Sequence, residues 1–196
     1  MHRLYIIALS TIFIFCPIYS GVLFAGVIND GFDTDRMIES RYFTIFIEDD
    51  VDLYELTASL TLPPNIKAII RKPVTFSEYP TISDQFDISF LAVSEIMDIH
   101  LRKFGCKVKI CRDSQRLSEI ADRLFGTKMQ TGGFYVASIN TLYIDAESVD
   151  IYILGHELSH AVQCHYFVVP PPVKIQEILS GYVEYELRKY TDSMPY

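Results

Sequence analysis

The chain has 196 residues, of which 49% are hydrophobic, and it carries a formal charge of −8 at neutral pH. This length supports one substantial hydrophobic core but hardly two catalytic domains, so we expect a single folded domain over residues 26–196. The acidic excess argues against nucleic acid as a partner, because phosphate binding requires a basic surface.

The first 25 residues predict an export signal or a membrane anchor. Met1-His2-Arg3 forms a short basic start, and residues 4–25 contain no charged residue. The run is long enough to span a bilayer, and the regions near Ser20 and Ala25 lack a clean small-x-small cleavage pattern. We expect this segment to engage the export machinery, which makes the protein periplasmic or secreted, or membrane-anchored through residues 4–25.

The middle of the chain predicts a mixture of strands and helices. Residues 41–47 alternate β-branched and aromatic side chains, as an opening strand does, and residues 51–60 should form a helix. Apolar residues at helical intervals predict further helices over 86–101 and 117–125, with a strand over 106–111 between them.

A β-hairpin is expected next. Residues 134–137 and 141–144 read as short strands joined by residues 138–140. Asp145 or Ser148 should cap the helix that follows.

Three cysteines lie beyond residue 25: Cys106, Cys111 and Cys164. Cys106 and Cys111 begin and end the predicted strand and point to opposite faces, which makes a bond between them awkward. We expect instead a disulfide from one of them to Cys164, with one thiol left unpaired.

Residues 156–160 read His-Glu-Leu-Ser-His and match the HExxH pattern. Because residues four apart lie on one face of a helix, His156 and His160 can bind the same metal ion, and Glu157 can reach its water. The flanking residues carry no charge, which predicts a buried helix whose polar residues serve a metal site.

A catalytic zinc site needs a third protein ligand. Residues 170–172 are three prolines that must end the HExxH helix, and apolar residues at helical spacing beyond them predict a second helix carrying Glu177. We predict Glu177 as the ligand, with Glu184 on the same face as the reserve choice. His165 is the competing candidate, but no glycine turn precedes it as in HExxHxxGxxH.

The HExxH helix, the turn and the second helix with its Glu-x-x-Ser element resemble the gluzincins, the thermolysin-like superfamily of zinc peptidases. The resemblance covers about the last third of the chain. It implies an α+β, zincin-like fold in which a small mixed or antiparallel sheet packs on the HExxH helix and a following C-terminal ligand helix. It also implies one Zn²⁺ per chain, bound by His156, His160 and Glu177, and Glu157 as general base in peptide-bond hydrolysis.

The chain departs from the gluzincin pattern at Gly181, where that family usually has an Asp that supports a zinc-binding imidazole. Glu184 is our candidate for this support. Tyr182 and His165 are candidates for a donor that stabilises the oxyanion in the transition state.

Zincins hold extended peptides against a sheet edge near the metal. We predict that the strand with Thr141, Leu142 and Tyr143 provides this edge for a peptide or protein substrate. An ordinary amphipathic strand is the alternative.

A competing hypothesis is a catalytically inactive zinc-binding domain that acts by binding a partner. A closed site of this kind needs a fourth protein ligand, for which Cys164 and His165 are the candidates. A third interpretation treats HExxH as accidental, with a histidine pair that simply packs in a core. That interpretation leaves several polar groups on a buried helix without a partner.

Overall fold

The structure, a computed structural model, describes residues 29–71 and 80–191. The predicted export signal or anchor, residues 1–25, lies outside these ranges. None of the helices within them combines the length and the hydropathy needed to cross a bilayer.

Five strands and six helices make up the described part of the chain. The strands are β1 (Met37–Glu39), β2 (Phe43–Ile47), β3 (Cys106–Cys111), β4 (Gly133–Val136) and β5 (Thr141–Asp145). The helices are α1 (Leu53–Ser59), α2 (Pro64–Lys67), α3 (Ile82–Met97), α4 (Ser114–Phe125), α5 (Ile151–Tyr166) and α6 (Val173–Tyr190).

The strands form one mixed sheet in the order β1-β2-β3-β5-β4. The three central strands, β2, β3 and β5, run parallel, whereas β1 and β4 are antiparallel edge strands. Parallel neighbours need long crossovers, which α3 and α4 supply between β2, β3 and β5. The predicted α+β class, with a mixed sheet packed on helices, is confirmed.

The two faces of the sheet are covered by different helices. In β5, Leu142 and Ile144 belong to the main core, which also contains buried residues of α3, α5 and α6. Tyr143 points to the opposite face and packs with Leu117 and Ile120 of α4. The alternation of side chains along β5 therefore separates the α5 and α6 layer from the α4 layer.

The ends of two predicted helices differ from the expectation because of their caps. Helix α3 begins at Ile82, since Thr81 and Asp84 form a reciprocal capping box, and it ends before Asp98, which has a left-handed backbone with φ 53°. Helix α4 begins at Ser114 because the Asp113 carboxylate accepts a hydrogen bond from the Arg116 backbone N–H at 2.7 Å.

The prediction of a substrate edge at Thr141, Leu142 and Tyr143 was wrong. Strand β5 is an interior strand, paired with β3 on one side and with β4 on the other. All three residues are buried. The predicted hairpin is present, joined by a 3-10 turn over Ala137–Ile139, and its other strand, β4, is the edge.

The predicted cap of α5 was also wrong. Asp150 caps the helix, because its carboxylate accepts hydrogen bonds from the backbone N–H groups of Tyr152 and Ile153 at 2.9 and 2.8 Å. Asp145 instead closes the preceding turn, where it accepts from the Glu147 backbone N–H and the Ser148 hydroxyl.

Cys106 and Cys111 are buried free thiols, so the expected disulfide from one of them to Cys164 is not formed. The predicted opposite orientation is correct, because Cys106 packs in the α5 and α6 layer and Cys111 in the α4 layer. Burial raises the pKa of the Cys106 thiol to about 12, which keeps it protonated at neutral pH.

A buried carboxylate ties the start of the described chain to the sheet. Asp30 accepts hydrogen bonds from the Lys109 ammonium, the Tyr143 hydroxyl and the Phe32 backbone N–H. Burial alone would raise the pKa of Asp30, but the bonds from Lys109 and Tyr143 outweigh it and hold the pKa below its ordinary value. The chain is therefore anchored to β3 and β5 at this residue.

We expect Asp30→Asn to lower the free energy of unfolding at pH 7 by about 3 kcal/mol, because it leaves the Lys109 ammonium without its partner. Since the folded pKa of Asp30 is depressed, its contribution is complete above the unfolded pKa and disappears as pH falls through the folded one. Urea unfolding at pH 7 measures the loss of stability, and urea unfolding at a pH below 3.8, the ordinary pKa of an aspartate, measures its disappearance in acid.

Asp35→Asn is the matched control for this variant, because it removes an exposed carboxylate nearby. Equal stability of the two variants at pH 7 would contradict a structural role for Asp30.

Candidate metal centre

Helices α5 and α6 form an antiparallel pair whose contact surface carries the candidate ligands. Helix α5 ends at Tyr166, and a short connection that contains the prolines at 170–172 leads to Val173, where α6 begins. Gly155 allows a close approach, since a Cβ there would lie 2.3 Å from Leu187 Cδ1. Ser159 and Ser180 meet across the same contact through a hydrogen bond between their hydroxyls.

This pairing brings Glu177 to the two imidazoles of the HExxH motif. The Glu177 carboxylate oxygens lie 3.5 Å from His156 Nε2 and 3.5 Å from His160 Nε2. One ligand atom from each residue lies within 4.8 Å of the other two. In a tetrahedral zinc site with bonds of about 2.0–2.1 Å, neighbouring ligand atoms are about 3.4 Å apart. The three residues therefore fit a single metal ion.

The described residues contain only this one cluster of three or more potential metal ligands. Two imidazoles and one carboxylate make up the donor set, which is the set found in catalytic zinc sites of the His₂Glu type. The cluster is consistent with the HExxH-like zinc site expected from the sequence.

Glu184 supports His156 from the side away from Glu177. One oxygen of Glu184 lies 3.7 Å from His156 Nδ1, and the other accepts hydrogen bonds from Arg188 Nε and a terminal guanidinium nitrogen at 3.0 and 2.8 Å. The contact with His156 and the charge of Arg188 hold the pKa of Glu184 below its usual range. An ionised carboxylate at Nδ1 leaves Nε2 of His156 facing the cluster.

Arg188 is itself held in place. Its guanidinium carbon lies 4.1 Å from the centre of the Tyr152 ring, and the Tyr152 hydroxyl shares a hydrogen bond of 2.8 Å with the Thr191 hydroxyl. The orientation of His156 thus depends on a chain of contacts that runs from α6 back to the first turn of α5.

The two imidazoles differ in their electrostatic surroundings. Burial opposes a charge on His156, but Glu184, Glu157 and Glu177 outweigh it and raise the pKa above the ordinary value. Burial and the neighbouring His156 lower the pKa of His160 to about 4. His160 is therefore neutral at pH 7, which is the form that binds a metal.

Hydrogen bonds from α6 hold the His160 ring. The Ser180 hydroxyl lies 3.3 Å from His160 Nε2, and the Gln176 side chain forms a hydrogen bond with the imidazole. Gln163, fully buried one turn along α5, donates to the Ser180 hydroxyl at 3.4 Å and to the Gln176 carbonyl at 3.3 Å.

Glu157 lies between the ligand cluster and the edge strand β4. Its carboxylate accepts a hydrogen bond from the Tyr135 backbone N–H, and its Cγ would be 3.4 Å from a Cβ at Gly133. Burial raises the pKa of Glu157 to about 7, with the nearby Glu177 adding to the increase.

The other predicted residues are not in the cluster. His165 Nδ1 lies 2.8 Å from the Ala161 carbonyl, and its ring packs on Phe104 at 4.7 Å between centroids. Tyr182 is exposed and lies about 140° around the helix from Glu177. Thr141, Leu142 and Tyr143 are interior strand residues. His165 is not one of the three clustered residues, and the role of His165 or Tyr182 as an oxyanion donor stays a prediction.

Two contributors to the site were missed by the sequence analysis. One is Arg188, whose position four residues after Glu184 on a helix is a signal that could have identified it as the partner of that carboxylate. The Tyr135 backbone N–H has no sequence signal, because any residue at that strand position supplies it.

Comparison with known proteins gives no relative: no protein-family model, no curated protein and no solved structure matches this chain.

We expect Glu177→Ala to weaken zinc binding by more than about 100-fold, because loss of a direct ligand exceeds the usual effect of losing an outer contact. Competition with a chromophoric chelator measures the affinity. Glu55→Ala, which removes an exposed carboxylate on α1, is the control and should leave the affinity unchanged. Equal affinities of the two variants would remove Glu177 from the ligand set.

Arg188→Met should weaken zinc binding by about 10-fold, within the range seen when outer contacts of a metal site are lost. The reason is that Glu184 loses the partner that holds it against His156. Lys189→Met removes a neighbouring charge that pairs only with Glu186 in the described contacts, and it should have no effect on affinity. Thermal unfolding of the metal-free variants separates a loss of binding from a loss of folding.

Proposed function

We propose that this chain is a zinc-dependent peptidase in which Glu157 is the general base. One observation carries the proposal: the Glu157 carboxylate lies beside the His156, His160 and Glu177 cluster and also beside the edge strand β4. A purely structural metal site has no use for a carboxylate in that position. A hydrolase needs it to move a proton.

The three proposed ligands leave an open coordination position. Zinc held by these three ligands would polarise a substrate carbonyl and lower the pKa of a bound water, which is the chemistry that amide hydrolysis requires. The two imidazoles and the Glu177 carboxylate would hold the ion, and Glu184 with Arg188 keeps the His156 ring in the orientation that binding requires.

The role of Glu157 follows from its surroundings. A carboxylate whose pKa is raised towards neutrality can take a proton from water and return it to the leaving amine within one turnover. The hydrogen bond from the Tyr135 backbone N–H holds the Glu157 carboxylate in position and leaves it able to accept a proton. Glu157 therefore supplies both proton transfers in the proposed mechanism.

Strand β4 is our choice for the substrate edge, in place of the β5 segment expected from the sequence. It is the last strand of the sheet, and only β5 pairs with it among the described residues. Its outer side is the side next to Glu157, so a peptide laid along β4 would have its main chain close to the ligand cluster. Main-chain pairing of this kind selects an extended peptide of any sequence.

The alternative of an inactive, closed zinc site requires a fourth protein ligand, for which Cys164 and His165 are the candidates. Both candidates lie outside the cluster of three, and His165 is engaged with Phe104 and the Ala161 carbonyl. Export remains part of the proposal and is supported by the uncharged residues 4–25.

Glu157→Gln should retain zinc and lose hydrolysis by about 10²- to 10⁴-fold, because an amide has the shape of the carboxylate but cannot accept the proton. Cleavage of a library of internally quenched peptides and of denatured casein measures activity, and metal analysis measures zinc. Glu147→Gln, an exposed acid in the turn before α5, is the matched control.

Full activity of Glu157→Gln would contradict the mechanism. Zinc binding by the wild type without cleavage of any library member would instead favour the inactive zinc-binding alternative.

A further inference from the structure

Two glutamines in the described part of the chain are fully buried, and they differ in what their amides contact. They are Gln85 on α3 and Gln163 on α5. Neither amide atom of Gln85 has a hydrogen-bond partner among the described residues. The amide nitrogen of Gln163 donates two hydrogen bonds, and only its oxygen is unpaired there. These two bonds give the Gln163 amide a defined direction.

Both bonds lead to α6, on either side of Glu177. The amide nitrogen of Gln163 lies 3.3 Å from the Gln176 backbone carbonyl and 3.4 Å from the Ser180 hydroxyl. A carbonyl can only accept, so the nitrogen of the amide and not its oxygen faces α6. The Gln176 carbonyl belongs to the peptide group that leads into Glu177.

Gln163 also lies beside the other half of the candidate centre. It follows His160 by three residues on α5, and the Ser180 hydroxyl that it contacts lies 3.3 Å from His160 Nε2. A single buried side chain therefore ties the turn of α5 that carries His160 to the turn of α6 that carries Glu177.

Glu177 depends on such a tie, because its surroundings fix it only in part. Its side chain is 40% exposed, so its position follows that of the α6 backbone. Pro172 precedes the helix, and no side chain caps the free N–H groups of the first turn. Helix ends without a cap open readily. The anchor at Gln176 and Ser180 lies just beyond this weak end.

We propose that Gln163 is a positioning residue of the metal centre, which holds α6 in the place where the Glu177 carboxylate faces His156 and His160. The inference rests on the metal binding of the proposed function and not on its peptidase step. Metal–ligand distances tolerate changes of only about 0.2 Å, so a small shift of α6 weakens binding.

Gln163→Met should weaken zinc binding about 10-fold, within the range seen when outer contacts of a metal site are lost. Methionine has nearly the length and volume of glutamine but no N–H group. Zinc affinity of the full chain is measured in competition with a chromophoric chelator. The midpoint of thermal unfolding of the metal-free variant should not fall, because the change also removes the unpaired buried oxygen.

Cobalt separates a positioning role from a general effect on the fold. The visible absorption of bound Co²⁺ depends on the arrangement of its ligands. At saturating cobalt, the absorption bands of Gln163→Met should therefore differ from those of the wild type. A residue that only stabilises the fold would leave the spectrum of the saturated site unchanged.

Gln85→Met is the matched control, because it changes an equally buried glutamine that has no hydrogen bond to α6. It should keep the zinc affinity and the cobalt spectrum of the wild type. Wild-type affinity and spectrum in Gln163→Met would overturn the proposal, as would an equal loss in the two variants. A wild type that binds no zinc would overturn the proposed function together with this inference.

Discussion

The antiparallel contact between α5 and α6 is the constraint on which the candidate centre depends. The two imidazoles share a helix and need only helical geometry, but Glu177 reaches them from another helix. Three prolines reverse the chain, Gly155 lets Leu187 approach closely, and the Ser159 and Ser180 hydroxyls fix the relative position of the helices. Small side chains at this contact are therefore needed to bring the three candidate ligands together.

The charge balance of the centre is a second constraint, because the centre contains more acidic than basic side chains. Glu157, Glu177 and Glu184 surround two imidazoles, one of which is kept neutral by burial. Without a cation, these carboxylates repel one another, and part of that repulsion is relieved by Arg188. A divalent ion would relieve the rest. The tendency of the site to bind a cation thus follows from its own charge balance.

Local pattern predicted the helices of the centre, since HExxH, the prolines and the helical spacing around Glu177 all act within about thirty residues, whereas the α+β class was implied by the resemblance. Strand order is a long-range property that no local signal encodes. The hairpin was recognised, but β5 was taken as the edge because the sequence does not reveal that β3 pairs with its other side. The Asp150 cap was missed for a simpler reason: Asp145, Ser148 and Asp150 are all good capping residues within one turn.

The parallel pairing of β2, β3 and β5 has a consequence for the order in which the molecule folds. Phe43 pairs with Cys106, more than sixty positions along the chain, whereas the metal ligands all lie between positions 156 and 177. Local contacts form faster than those that close long loops. The α5 and α6 hairpin can therefore assemble the candidate ligand cluster before the sheet is complete, but Glu157 acquires its contact with β4 only after β4 has joined β5. Assembly of the candidate ligand cluster and completion of the surroundings of Glu157 are therefore separate events in the folding of this protein.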